Sequence, residues 1–541
     1  MSVRKALTMR ISKTTSLSLA VAAISLVSAT GHASTRDWAE PQGALMTKSH
    51  AWKPFGMPTK RDIARFNLSS AYTISFKSNV TNMGLLIGDD KLVFDFGQCT
   101  YSLAPTRRNS VYLGLARNDV ARVTLRNGNL NSGPSTVGGV AGSSGNVTLA
   151  TGAAWNTTGL LAIGGYGSGG LTVIGGGKLA STTGTVGFYG RSKGNVLLSG
   201  DGSHWNVAGT LAVGGKTSTG QVNIRDSASL NVGDKLDIRK GSALTLNGGS
   251  LSAASIIRPG SVVFQSGTLN LTKSNLTIGT GGALGAAVNL NKRQTLNVSQ
   301  DVIVNGATGS LDLSGGRFSA GRTVNSGTIN FRSGQFHGPL VNSAALSTVN
   351  ITATAAVFAN EVVNNGTFSV GAASKARFEA NVSGSKGFTG GGEITFAGTY
   401  NPGTSDSQGF DQPVSFSNNI IFTPEAHLRL NLGGPGRSFF SDGIAYDRVD
   451  VNGQIHLTNV DIALAGTPAL QVGDRFDLVT GSIVYDKDFH ISLPNLSGGR
   501  SFDVIRGNTS LSAVIIPEPA IGTLLAGAAA AMAFCRPRRR R

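Results

Sequence analysis

The sequence predicts an all-β fold, a parallel β-helix (solenoid) with β-strand caps. Three observations carry that prediction: a glycine-rich, charge-poor composition, a repeat of about 25 residues, and two short alternating strands inside each repeat. The chain has 541 residues, of which 74 are glycine and 14% are charged, with much Val, Leu, Thr, Ser and Asn. Such a composition suits short strands joined by tight turns and disfavours helices.

The repeat is read from apolar triplets. VTL at Val123, VTL at Val147, LTV at Leu171, VLL at Val196, VNI at Val222 and LTL at Leu244 follow one another at intervals of 24, 24, 25, 26 and 22 residues. A second set, Leu161, Val186, Leu211 and Leu236, advances by 25 each time. Between the triplets lie Gly, Ser, Asn and Asp, the residues of turns. A unit this small cannot bury its own apolar face, so copies must stack, each coil rising one strand spacing with like residues packed inward. Glycines serve the corners, where a positive φ is required. A looser pattern continues through VNSGTIN at Val324, VNSAALSTVN at Val341 and VNNGTFSV at Val363 to about Tyr400.

The ends of a solenoid expose unpaired strand edges, so caps are expected. Residues 52 to 103, with Trp52, Phe66, YTISF from Tyr72 and LVFDF from Leu92, alternate as strands before the first clear coil. After the repeats, HLRLNLGG from His427, YDRVDVNGQIHL from Tyr446 and VGDRFDLVTG from Val472 alternate again.

Both termini have the pattern of targeting segments. Residues 1 to 33 combine a basic start, an apolar stretch from Leu17 to Val27, and small residues before a cut expected between Ala33 and Ser34. At the other end Pro517-Glu518-Pro519 precedes the apolar stretch Ala520 to Phe534, read as a short transmembrane helix, then Arg536, Arg538, Arg539, Arg540 and Arg541 as a cytoplasmic stop-transfer cluster. Nine basic residues, these five with Arg4, Lys5, Arg10 and Lys13, make half of the net charge of +18, so the middle is only mildly basic and no nucleic-acid partner is expected.

The order of Pro-Glu-Pro, apolar helix and terminal arginines resembles the PEP-CTERM sorting signal. GAAWNTTGLLAIGG from Gly152 and GSHWNVAGTLAVGG from Gly202 resemble the β-helical repeats associated with autotransporters and PEP-CTERM proteins. The strands from His427 resemble the module common just before such tails. The resemblance implies export, recognition of Pro517, Glu518 and Pro519 by an exosortase-like membrane transpeptidase, transient anchoring through the tail, and association with exopolysaccharide at the cell surface or in the extracellular matrix. The expected organisation is a signal peptide over 1–33, an N-terminal strand cap over 34–104, β-helix over 105–400 and clearest at 118–250, a C-terminal β module over 401–516, and the sorting tail over 517–541. An autotransporter passenger is disfavoured, because too little chain follows Tyr400 for a membrane barrel.

Candidate chemistry is sparse. β-helices also carry polysaccharide lyases and hydrolases, whose sites need paired carboxylates with a basic group nearby. Asp201 in SGDGS and Asp226 in RDSAS, 25 residues apart, approach this arrangement with Arg225, Arg239 and His204 near them, but Asp also serves turns by bonding local amides. Asp447 and Asp450 in YDRVDV are read as a solvated pair on one strand face, a weak cation site. Cys99 and Cys535 form no disulfide framework and no zinc spacing. Trp155 and Trp205, two coils apart, either pack inward or stand outward as platforms for sugars; inward packing is the commoner fate of Trp. The reading is thus of a protein that is not an enzyme and has no catalytic, metal or cofactor site; a secreted polysaccharide lyase or hydrolase is the alternative.

Overall fold

The computed structural model describes residues 34–518 except 105–108, 258–259, 344–345, 404–412, 434–438, 442–443 and 465–467. The segment 1–33 expected to be a signal peptide, Pro519, the apolar stretch and the terminal arginines lie outside the described residues. The described chain is all-β, with two single-turn 3-10 helices, and no helix among the described residues is long and apolar enough to cross a membrane.

Three parallel ladders wind into a β-helix-like solenoid. The first wall stacks Ala71–Ser75, Lys91–Asp95, Val120–Arg126, Ser144–Leu149, Ser168–Val173, Lys193–Ser199 and Thr219–Arg225. The second runs through Val80–Asn82, Thr100–Leu103 and Gly128–Ser132 into residues 153–157, 178–181 and 204–207. The third runs through Ile63–Phe66, Gly84–Ile87, Val111–Leu113 and Ser135–Val137 into 161–163, 184–186 and 211–213. Strands from the expected N-terminal cap therefore pair in the same ladders as the repeats.

The triplets expected to stack do so. Val123, Val147, Leu171, Val196, Val222 and Leu244 are consecutive partners, and all six are buried. The second set needs one correction: the partner of Leu161 is Gly184, while Val186 pairs with Ile163, two residues further on. Gly184 is there for space. A Cβ on it would come within 2.8 Å of both the Trp205 ring and Leu211 Cδ1. Trp155 and Trp205 share a register position through Leu179 between them, and both are fully buried. Each indole N–H reaches a serine of the preceding coil, Ser132 Oγ at 2.9 Å for Trp155 and Ser181 Oγ at 3.0 Å for Trp205. That bond removes the cost of burying the only polar atom of the ring.

Further along, Val324, Val341 and Val363 stack in register, which carries Asn325, Asn342 and Asn364 into an internal column. All three are fully buried. Asn325 Nδ2 donates to Asn342 Oδ1 at 2.9 Å, and Asn342 Nδ2 donates to Asn364 Oδ1 at 2.8 Å. Each amide also donates to a main-chain carbonyl of a later strand or corner, Thr348, Thr367 and Gly387 in turn. A column of this kind is tolerated in a core because every donor finds an acceptor.

The coil at residues 261–291 departs from the pattern. The second wall stays paired there, 267–271 with 294–298, but among the described residues no strand pairing joins 261–266 to 287–291 in the first wall or 255–257 to 276–278 in the third. Gln294 fills part of the break: its Nε2 donates to Phe264 O at 2.6 Å and its Oε1 accepts from Asn291 N at 2.8 Å.

Both ends are closed. At the start Trp38 meets Trp52 edge-on at 5.0 Å, and Phe66 packs on both. At the finish Arg475–Ser492, Ser510–Pro517 and Arg500–Arg506 pair antiparallel in that spatial order, which ends the parallel stacking. The last free edge, Arg500–Arg506, carries Asp503 and Arg506, both exposed, and charges there discourage edge-to-edge association.

Candidate functional site

The residues singled out for chemistry are not gathered into one centre. Asp201 lies in an exposed turn and accepts from the Gly202 N–H at 3.0 Å, two atoms of the same corner. Asp226 has φ of +52°, accepts from Ser199 Oγ at 2.8 Å and lies 3.3 Å from Arg225 Nε. Arg239 pairs with Asp237 at 3.2 Å, and His204 Nδ1 sits 3.2 Å from Gly202 O. These are the local contacts of turn residues.

The Asp447 and Asp450 pair is corrected. Three residues apart on an extended chain, they point to opposite faces. Asp447 is buried and accepts from Asn431 N at 2.9 Å and Asn431 Nδ2 at 2.8 Å, whereas Asp450 pairs with Arg448 at 2.8 Å and Thr480 Oγ1 at 2.5 Å. Among the described residues no three His, Cys, Asp or Glu side chains stand close enough to hold a metal. Trp155 and Trp205 face inward and offer no platform.

Of the three residues expected to form a sorting motif, Pro517 and Glu518 are described, at the end of the middle strand of the terminal sheet. Pro517 is the last residue of its strand, opposite Arg500, and is exposed. Glu518 is exposed too, with its N–H donated to Gly499 O at 2.8 Å. Val514, Ile515 and Ile516 before them belong to the same strand, with Ile515 fully buried. At the other end Ser34 begins the described chain: its hydroxyl donates to Asp62, and its carbonyl accepts from Ile63 N at 2.8 Å.

The surface with most binding character was not singled out in sequence. Outward residues of the third wall, Tyr112, Thr136 and Ala162, stack in register, and the corners beyond them carry Tyr166, Phe188 and Tyr189. Tyr166 and Tyr189 stack at 4.8 Å and 17° between planes, and Phe188 lies 3.9 Å from Tyr189. The stack arises because the corner repeats: Tyr166 N donates to Gly138 O at 3.1 Å, and Tyr189 N donates to Gly165 O at 2.9 Å one coil on. Gly139 is needed where the Tyr112 ring folds back, since a Cβ there would lie 2.3 Å from Cε1, and the Tyr112 hydroxyl donates to Gly139 O at 2.6 Å.

Together these residues line a groove of about 570 Å³, with no charged residue in its lining among the described residues. Tyr166 is 47% exposed, unusual for a large aromatic on a solvent wall. Burial, then the neighbouring Tyr166 phenol, hold Tyr112 and Tyr189 above the ordinary phenol range, so both stay neutral near pH 7. The signal was present in sequence as an aromatic following each corner glycine, GGYG at Gly164 and GFYG at Gly187.

Fold and groove together define the class: an all-β, β-helix-like solenoid with an aromatic groove on one wall. No protein-family model matches the chain, and no curated protein matches it.

Proposed function

We propose that this is an exported, non-enzymatic β-helix protein of the cell surface or extracellular matrix. In this reading it associates with exopolysaccharide through its solenoid, and its C-terminal tail is processed by an exosortase-type transpeptidase. The observation that supports the glycan part is the groove of Tyr112, Tyr166 and Tyr189, where stacked, neutral rings present apolar faces beside hydroxyl and main-chain polar groups. Sugars have apolar ring faces edged by hydroxyls, so such a surface suits them. The sorting part is supported by the exposed Pro517 and Glu518 at the end of the middle strand, where a membrane enzyme meets the motif without unfolding the domain.

Retention of the full-length protein on extracted matrix polysaccharide tests the first part. The Tyr166→Ala/Tyr189→Ala double variant should elute early while keeping its thermal stability. Equal retention of both proteins would remove the groove from the account. Intact-mass measurement on protein recovered from the cell surface tests the second part: the expected mass lacks Arg536 to Arg541, and Glu518→Ala should leave an uncut, membrane-retained form.

A further inference from the structure

Outward asparagines climb the second wall. Asn131, Asn156, Asn206 and Asn231 occupy one register position in successive coils, with Ala180 in the coil between Asn156 and Asn206. Asn156 Nδ2 donates to Asn131 Oδ1 at 3.1 Å, and Asn231 Nδ2 donates to Asn206 Oδ1 at 2.8 Å. The same sense recurs further along the wall, from Asn297 to Asn270 at 2.8 Å. Each amide therefore turns its N–H toward the earlier coil and its oxygen toward the later one.

At Ala180 this column lacks one amide. Asn156 Oδ1, an acceptor, faces the gap from below and Asn206 Nδ2, a donor, faces it from above; neither has a partner among the described residues, and both residues are exposed. A groove of about 460 Å³ lies over the gap, with Ala180, Val207 and Ala208 among its lining and no charged residue. Coils rise ~4.8 Å each, so the two asparagines stand ~9.6 Å apart along the axis with the absent amide midway.

We infer that the gap is a subsite for the acetamido group of an N-acetylated sugar within a polysaccharide, an inference that rests on the glycan reading above. The acetamido N–H donates to Asn156 Oδ1, its carbonyl accepts from Asn206 Nδ2, and its methyl rests on Ala180. Size and polarity both select this group. An amide spans ~2.3 Å from N to O, so with a hydrogen bond of ~2.9 Å at each end it bridges ~8 Å, whereas a lone hydroxyl bridges under ~6 Å. An ammonium only donates: it can serve Asn156 Oδ1 but offers Asn206 Nδ2 no acceptor.

A polypeptide amide has the same chemistry but fits less well. Peptides that bind β-structures commonly add a strand at an open edge, and the wall is fully paired here from Asn131 to Asn231. The aromatic groove also lies close by. The two grooves flank the same third-wall strand, from Thr158 to Ala162, roughly 13 Å at ~3.3 Å per residue. One extended glycan reaches both.

The test is calorimetric titration of the full-length protein with three β-1,4 oligosaccharides: N-acetylglucosamine, glucosamine and glucose tetramers. The acetylated tetramer should bind about tenfold or more tightly than the other two, as two added hydrogen bonds imply. Saturation-transfer NMR should show its strongest effect at the acetyl methyl. Ala180→Asn, which supplies the absent amide, should abolish the preference without lowering the melting temperature, while Tyr166→Ala should weaken all three tetramers alike. An acetyl preference that survives Ala180→Asn overturns the inference, as does binding of an Asn-rich peptide when the acetylated tetramer fails to bind. If no tetramer binds but extracted matrix polysaccharide is still retained, the subsite is lost and the glycan reading stands. Loss of that retention removes both.

Discussion

Replacing Leu171 with Asp tests which side of the first wall is inside. Leu171 is 1% exposed, packed between Val147 and Val196, while its neighbour Thr172 faces outward between Thr148 and Leu197. Losing a buried leucine side chain costs ~2–5 kcal/mol. The carboxyl put in its place finds no partner and adds ~1–3 kcal/mol even when protonated. The total, ~3–8 kcal/mol, is comparable to the ~5–15 kcal/mol that holds an ordinary domain together. Thr172→Asp exchanges one outward, half-buried polar residue for another and should cost no more than ~1 kcal/mol, the range of strand propensities.

Because coils contact only their neighbours, the damage should be local. Urea titration followed by circular dichroism gives the size of the effect, and limited proteolysis read by mass spectrometry gives its place, expected within 168–198. The effect should also grow with pH: the unfolded chain ionises the new carboxyl near ~4, the folded interior holds it neutral, and stability falls as pH rises wherever the native state binds more protons. Equal midpoint shifts for the two variants, or cleavage far from the altered coil, would refute the inside and outside assignment.

Three further outcomes are expected. Asn342→Ala leaves Asn364 Oδ1 and one bond of Asn325 unmatched in the core, and should cost about 3 kcal/mol by thermal unfolding, since an unsatisfied buried group costs ~1–3 kcal/mol. Gly184→Ala crowds Trp205 and Leu211 and should cost ~1–3 kcal/mol, with part of that recovered when Trp205→Phe is added, as a double-mutant cycle would measure. Burial alone would raise the Asp62 pKa, but hydrogen bonds from Ser34 and Thr59, with the Arg36 charge, outweigh it and lower the pKa to about 2. Its contribution is therefore complete above the ordinary carboxylate range and lost as pH falls toward 2; hydrogen exchange at 34–66 should accelerate over that window in the native protein and show no such step in Asp62→Asn.

The stacking of the coils was legible because inward positions repeat their chemistry. Val147, Leu171 and Val196 advertise one another, and VN at Val324, Val341 and Val363 locates the buried amide column although the spacing between copies varies. Legibility failed where one residue does a different job from its equivalents. Gly184 stands where Leu161 and Leu211 stand, because the large ring of Trp205 occupies its space, and regular counting then slid to Val186. Asp447 was misplaced by parity, and its burial rests on bonds from Asn431, sixteen residues earlier, which no local pattern reveals. Outward aromatics escaped notice because they sit in corners, outside the alternation that marks strands, and only stacking of the corners brings Tyr166 to Tyr189.

The break at residues 261–291 bears on how the rod responds to load. In the coils before it, from 120 to 257, all three walls are paired, so a bend in any direction must stretch hydrogen bonds. Across this coil a single ladder, 267–271 against 294–298, carries the connection, supplemented by the Gln294 side chain. A tube with one stitched seam bends easily about that seam and stays stiff elsewhere. A load across the rod should therefore be taken up first at this coil, with 34–271, which carries both grooves, tilting as one piece about it.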